Sequence, residues 1–157
     1  MSDWAALARA LHVAAIVHWI GGLMFVTFVV LPGLGDLPPE QRAAGFAAVE
    51  RRFAGQARIS VALAGATGFY LMYAFGLWGS LGDPHMWRLA AMLALWTIFV
   101  FMLFIAEPLF LHAQFDRRAA RDPVGTHALL LRMHRILTAV ALVVIVGTVA
   151  GAHGFDF

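Results

Sequence analysis

The stretch ALHVAAIVHWIGGLMFVTFVVLPGLG, residues 10–35, decides the fold because none of its 26 side chains is formally charged. An α-helix rises about 1.5 Å per residue, and the hydrocarbon core of a bilayer is about 30 Å thick, so this stretch is long enough to cross it. It is too long for the apolar region of a signal peptide, and it has neither a basic start nor a cleavage site. The stretch therefore predicts a membrane-spanning helix.

Three further apolar stretches predict three further spans. We place the four spans at residues 8–32, 57–79, 86–112 and 132–152. The composition agrees, since 62% of the chain is apolar and 13% is charged, against about 25% charged residues in a soluble domain. The 157 residues leave no room for a further soluble domain. We expect an all-α fold, a single integral membrane four-helix bundle covering residues 1–157.

The arginine positions predict the orientation of the bundle. All 11 basic side chains are Arg, and nine of them lie in or beside the connection between spans one and two or the connection between spans three and four. The other two are Arg9 and Arg88. By the positive-inside rule both connections are cytoplasmic, and both termini face outward.

The two long connections carry structural signals of their own. In residues 38–56, Phe46, Val49 and Phe53 recur at helical spacing among Arg and Glu, which predicts an amphipathic cytoplasmic segment at the interface that runs into span two. Asp122-Pro123 is a helix-start signal, so the fourth helix is predicted to begin well before the membrane.

Seven histidines are unusual in so apolar a chain. An ionisable side chain inside a bilayer is costly, and it indicates a functional site. Two neutral imidazoles at equal depth on different helices can ligate a haem iron from opposite faces. Sorted by their predicted depth in the membrane, the histidines form two candidate sets. The outer set is His12 with His153 or His85, and the inner pair is His112 with His134.

His18 lies near the middle of span one, about 240° around the helix from His12, so the two cannot point into the same gap but could serve different neighbours. Each histidine also has an ordinary structural alternative. It is a polar contact inside the bundle for His12 and His18, a cap or interface group for His85, His112, His134 and His153, and a solvated side chain for His127.

Other polar residues leave alternatives open. Glu107 is expected to form a structural salt bridge with Arg52, Arg58 or Arg135, or to serve in a proton relay. The neighbouring Pro108 is expected to kink the helix. Arg88 can meet a haem propionate or reach the interface. Copper has only weak support, from Met86 beside His85 and Met133 beside His134. Cysteine is absent, which excludes disulfides and thiolate chemistry.

Four segments together resemble the family of small four-helix membrane proteins called copper-resistance protein D-like (CopD-like). They are LHVAAIVHWIGGLMFVTFVVLP, ERRFAGQARISVALAGATGFYLMY, MWRLAAMLALW with IAEPLFLH, and LLRMHRILTAVALVVIVGTVAGAHG. The chain is also similar, more distantly, to the HemJ-type protoporphyrinogen oxidases. The resemblance covers nearly the whole chain, and its most specific pieces are LH followed by W-x-G-G in span one and RMHR at the start of span four.

The resemblance implies haem at the first span. In HemJ-type proteins the histidine of the LH pair is tied to haem, and His12 occupies that place here. At the start of the third span those proteins have a functional Lys-Leu, whereas this chain has Trp87-Arg88-Leu89. At the start of the fourth span they have an Asn-Glu pattern, whereas this chain has His134. These departures speak against protoporphyrinogen oxidation and leave the haem-binding bundle as the expectation.

The resulting hypothesis is a multi-pass protein of the bacterial inner membrane, with both termini in the periplasm, that binds b-type haem and takes part in transmembrane electron transfer or quinol-linked redox chemistry. The candidate cofactor and metal ligands are His12 first, then His18 and His134, then His153, with Arg88 near the propionates. As an enzyme it would be a haem-dependent oxidoreductase. Expected partners are lipid, a quinone or quinol, and a second copy or a redox subunit, with no nucleic acid. The alternatives are a HemJ-like porphyrinogen oxidase, a copper transport or tolerance protein, and a non-catalytic membrane subunit.

Overall fold

A computed structural model describes residues 3–155, and in that range the chain is almost wholly helical and contains no strand. Four long helices follow one another in the described range: α1 at Asp3–Leu34, α2 at Pro39–Ala74, α3 at Pro84–Arg121 and α4 at Pro123–Ala152. A short 3-10 helix at Leu77–Gly82 joins α2 to α3, and α3 itself opens with a 3-10 turn at Pro84–Met86.

Helices α1, α3 and α4 are each long and apolar enough to cross a membrane. The chain is therefore a helical membrane protein, as the composition predicts. Helix α2, with 36 residues, is equally long, but its first half carries most of the arginines of its connection. Its second half mixes small and hydroxyl side chains with the apolar ones, which dilutes its hydrophobic character.

Two predicted boundaries can be compared directly with the helices. The interfacial segment and the second span form one uninterrupted helix, α2, which ends at Ala74 rather than at residue 79. Gly76 follows with φ +65°, a left-handed conformation that glycine adopts without a steric penalty, and this turns the chain. The start of α4 is confirmed, because the carboxylate of Asp122 accepts the Gly125 N–H at 2.8 Å.

Proline changes the helical register within α3. Residues Phe101–Leu111 form a π-helix that contains Pro108. In that register the N–H of residue 108 would donate to the carbonyl of Leu103, but proline has no N–H. The Nε of Arg58, on α2, donates to the Leu103 carbonyl at 3.0 Å instead. A neighbouring helix thus satisfies the carbonyl that Pro108 leaves free.

The same arginine identifies the partner of Glu107. Nη2 of Arg58 lies 3.0 Å from Oε1 of Glu107, whose side chain is only 16% exposed. Of the three partners expected from the sequence, Arg58 is the one that the structure shows. Arg58 therefore holds α2 to α3 through two bonds at one place.

Successive helices run antiparallel. Arg58 of α2 meets Glu107 of α3, whereas Val61, farther along α2, accepts the Trp96 N–H of α3 at 2.9 Å. Helix α1 packs along much of α2, and a buried hydrogen bond of 2.8 Å joins the Thr27 hydroxyl of α1 to the Thr138 hydroxyl of α4. The main core cluster draws on all four helices and consists of Trp19, Ile20, Leu23, Val61, Leu95, Phe99 and Ala141.

Candidate functional site

His12 is held firmly against α2. It is half-buried, and its Nδ1 lies 2.9 Å from the Ala64 carbonyl and 3.1 Å from the Thr67 hydroxyl. A carbonyl only accepts, so Nδ1 carries the proton and donates it to Ala64, and Nε2 is left unprotonated in the neutral ring. The ring packs over Gly68, where an added Cβ would come within 3.0 Å of Cε1. Glycine at this position therefore allows the imidazole to lie close to the α2 backbone.

His18 contacts the same neighbouring helix as His12, at a different residue. Its Nδ1 lies 2.8 Å from the hydroxyl of Ser60, which is one turn from Ala64 on the same face of α2. Helix α2 packs closely enough along α1 for imidazoles at different angles on α1 to reach it. The ring of His18 is otherwise exposed, 6.4 Å between centroids from Phe53.

His134 within α4 and His153 just after its end lie far apart and share one local pattern. Nδ1 of His134 donates to the Leu130 carbonyl at 2.9 Å, and Nδ1 of His153 donates to the Val149 carbonyl at 2.8 Å. His134 is half-buried with its ring edge-on to Phe46, whereas His153 is exposed at the end of α4. Nε2 is again the free nitrogen in each neutral ring.

Arg88 lies at the end of the molecule opposite to the two long connections. Its guanidinium lies over Gly151 of α4, in the space that a side chain there would fill. The neighbouring Trp87 packs in the same way on Gly147, where an added Cβ would lie 3.1 Å from the indole ring. Arg88 is thus a packing residue between α3 and α4, and it shares the end of α4 with His153.

A cavity of about 160 Å³ lies between the four helices, toward the end where the α1–α2 and α3–α4 connections are found. We call it the connection-side cavity. Its walls are mostly apolar and aromatic, with Trp19, Leu23, Phe46, Phe53, Phe99 and Leu137 among the lining side chains. Five ionisable residues also line it: Glu50, Glu107, His112, Asp116 and His134. Phe46 and Phe53, expected at the interface, therefore face this cavity.

Trp19 is a residue that the sequence reasoning did not single out as functional. It is 5% exposed and lines the connection-side cavity, and its ring meets Phe99 edge-to-face with centroids 4.7 Å apart. Its indole nitrogen is buried, and no hydrogen-bond partner for it exists among the described residues. An unpaired buried donor costs about 1–3 kcal/mol, so this N–H needs an explanation.

Glu50 is a second residue that the sequence reasoning missed. Its Oε2 lies 3.7 Å from Nδ1 of His112, and the ion pair of Arg58 with Glu107 is close by. Burial raises the pKa of Glu50, and the negative charge of Glu107 raises it further. The available signal was its spacing, since Glu50 falls between Phe46 and Phe53 on the apolar face of α2.

The structure joins few of the predicted ligands. His112 and His134 line the same cavity, as expected of the inner pair. Across residues 3–155, however, no hydrogen bond, ion pair or ring contact connects two histidines. The described part of the chain also contains no group of three or more His, Asp and Glu residues placed to hold a metal ion.

The size of the connection-side cavity decides what it can accept. An apolar cavity of about 150 Å³ holds benzene, so about 160 Å³ accommodates one six-membered ring. Pockets for drug-sized ligands measure roughly 300–1,000 Å³, and a haem macrocycle is at least of that size. The cavity therefore does not fit a haem between His112 and His134. The free Nε2 of His12 remains a suitable donor for a haem outside the cavity.

Comparisons of the chain with protein-family models, with curated proteins and with solved structures give no match. The fold defines the class as a helical membrane protein. Any function must therefore rest on the histidines, the connection-side cavity and the charges around them.

Proposed function

We propose that the chain is a four-span protein of the bacterial inner membrane that binds b-type haem through His12 and transfers electrons. The observation that carries this proposal is the orientation of His12. Its Nδ1–H is fixed on the Ala64 carbonyl at 2.9 Å, which leaves Nε2 free. Histidines that ligate metals commonly donate their other N–H to a backbone carbonyl or carboxylate, which fixes the tautomer and the ring orientation.

The four-span topology has support from α2. Helix α2 runs antiparallel to both α1 and α3, which are long and apolar enough to cross, and its second half lies beside their apolar parts through the His12–Ala64 and Trp96–Val61 bonds. With α2 as the second span, the four helices form an up-and-down bundle with short turns. The nine arginines then lie at the cytoplasmic side, and both termini lie in the periplasm.

The remaining histidines have secondary places in the proposal. His134 and His153 have the same free Nε2 and are the candidates for a further axial ligand, but His134 opens onto a cavity too small for haem. His18 bonds Ser60 and faces outward. When bound, haem would supply one-electron transfer, and His12 would supply the ligating nitrogen.

The first test is the absorption spectrum of protein purified in detergent after expression with ample haem. We expect a Soret band and, after reduction, sharp α and β bands. The variant His12→Ala should lose or shift these bands because it removes the ligand. The matched control is His127→Ala, on the cytoplasmic part of α4, which should leave the spectrum unchanged.

Two results would contradict the proposal. A folded wild-type protein that stays colourless would exclude haem binding. Identical spectra for the His12→Ala and His127→Ala variants would exclude His12 as the ligand.

A further inference from the structure

We infer that one anionic phospholipid binds to α3 and α4 at the end of the molecule opposite to the two long connections, with an acyl chain in a surface groove beside Trp87 and its phosphate on Arg88. The inference rests on α3 and α4 as helices that cross a membrane. It does not depend on haem at His12.

A groove of about 420 Å³ on the outer surface of the bundle gives the place of the acyl chain. We call it the lipid-side groove. It is lined by Trp87 of α3 and by Leu142, Val143, Val146 and Gly147 of α4. Val143 is 67% exposed and Val146 is 62% exposed, so the groove faces outward rather than into the core. The four lining residues of α4 have no polar side chain.

The lipid-side groove lies at the depth of lipid chains. Its α4 residues belong to the uncharged stretch 136–152, which is about 25 Å long at about 1.5 Å per residue, close to the hydrocarbon core of about 30 Å. At this depth an acyl chain covers the apolar lining of the groove and leaves no polar group without a partner.

Two glycines of α4 place a cation just beyond the groove. Trp87 packs on Gly147, and the guanidinium of Arg88 lies over Gly151, in the space that a side chain there would fill. Gly147 and Gly151 are four residues apart, so they lie on the same face of α4, about 6 Å apart along its axis at about 1.5 Å per residue. The positive charge therefore lies between the groove and the nearer end of α4.

The charge of Arg88 has no counter-charge among residues 3–155. Arg58 has an ion pair and Arg9 lies over an aromatic ring, whereas the described chain offers the partly buried Arg88 neither a carboxylate, a hydrogen bond nor a ring. Arginine forms strong charge-assisted hydrogen bonds with phosphate, and at a helix end it reaches the membrane surface where lipid phosphates lie.

The combination of groove and cation selects an anionic phospholipid. A second copy of the chain seated on the groove would cover the unpaired charge of Arg88 with apolar helix surface, which is costly. A zwitterionic headgroup brings a cation of its own close to the guanidinium. A headgroup with only the phosphate charge avoids this repulsion.

Photochemical crosslinking of the purified chain in detergent tests the site. The probe is phosphatidylglycerol with a diazirine in one acyl chain, and mass spectrometry of the digested chain locates the label. We expect label on residues 142–147, about fivefold more than from the same probe with a phosphatidylcholine headgroup, as one arginine beside an anionic lipid predicts. Unlabelled phosphatidylglycerol should displace the probe, and glycerol 3-phosphate should not.

Four variants locate the two parts of the lipid. Arg88→Gln should remove the preference for phosphatidylglycerol at residues 142–147, and Arg88→Lys should keep it. Arg132→Gln, at an exposed arginine toward the other end of α4, is the matched control and should leave the preference unchanged. Val143→Phe fills the groove from its exposed side and should remove most of the label from both probes.

A further control for the groove is Val149→Phe. Val149 is 53% exposed and lies outside the groove, so the same substitution there should leave the label on residues 142–147 unchanged.

Four outcomes would overturn the inference. These are equal labelling by the two probes in the wild-type protein, a preference that survives in folded Arg88→Gln, displacement of the probe by glycerol 3-phosphate, and a dimer in which a second copy covers residues 142–147. Labelling of protein that never takes up haem would uphold the inference and refute haem binding, so the two proposals fail separately.

Discussion

At the scale of single residues, the burial of Glu50 makes the stability of the folded chain depend on pH. Its ordinary pKa is 4.5, and burial among apolar side chains raises it, with Glu107 as a further cause. Below pH 4.5 the carboxyl is protonated in both the folded and the unfolded chain. As the pH rises through the raised pKa, the unfolded chain ionises more easily than the folded one, so the folded state loses stability.

The variant Glu50→Gln should therefore be more stable than the wild type at about pH 7, with a difference that shrinks toward pH 4. The free energy of unfolding, measured by SDS titration in mild detergent at several pH values, checks this. Glu40→Gln is the control, because Glu40 is exposed at the start of α2. A pH-independent difference between Glu50→Gln and the wild type would contradict the assignment.

Sequence reasoning recovers the residue types at the site better than their orientation. It names Arg58 among three partners for Glu107, and the structure shows that pair. It misses Trp19, because nothing in a sequence shows that an indole N–H lacks an acceptor. It does not predict the contact of His18 with Ser60, because the angle around one helix does not say how closely the next helix packs.

At the scale of helices, the π segment of α3 depends on a side chain of α2. Arg58 supplies the donor that Pro108 lacks and also pairs with Glu107. We expect Arg58→Leu to destabilise the chain by about 2–3 kcal/mol, since it leaves a carbonyl and a mostly buried carboxylate without a partner. The free energy of unfolding in SDS titration gives the measurement.

A double-mutant cycle isolates the backbone part of this effect. Pro108→Ala restores an N–H within α3, so Arg58→Leu should cost less in the Pro108→Ala background than in the wild type. Arg52→Leu, at an exposed position on α2, should change stability by less than about 0.5 kcal/mol. Equal costs of Arg58→Leu in both backgrounds would show that the Leu103 carbonyl does not depend on Arg58.

The sequence predicts the helices themselves, but it does not predict the π-helical register within α3. Uninterrupted apolar stretches and the Asp122-Pro123 start are visible in the sequence. A proline at residue 108 predicts a kink, but a π segment of 11 residues depends on a donor from another helix. Apolar residues lie all round α1 and the part of α3 before His112, so no amphipathic pattern marks the face that these segments bury.

At the scale of the whole molecule, the second half of α2 decides the number of spans. The chain has no cysteine, so single cysteines report position cleanly. With α2 as a span, Gly79→Cys in intact bacterial spheroplasts should react with a membrane-impermeant maleimide. Ala120→Cys, near the α3–α4 connection, should react only after the membrane is opened.

Protection of Gly79→Cys in sealed spheroplasts would contradict the four-span topology, because the α2–α3 connection would then be cytoplasmic. Charge distribution alone suffices to predict this orientation, since arginine excess is a property of whole connections. The connection-side cavity is different, because it forms only where side chains of all four helices meet.

The α3–α4 hairpin is longer than a bilayer is thick. Helix α3 has 38 residues, or about 57 Å at about 1.5 Å per residue, against a hydrocarbon core of about 30 Å. A single residue, Asp122, joins α3 to α4, so their ends cannot move independently. The joined ends of α3 and α4 are therefore expected to project beyond the hydrocarbon core as one unit rather than as two separate tails.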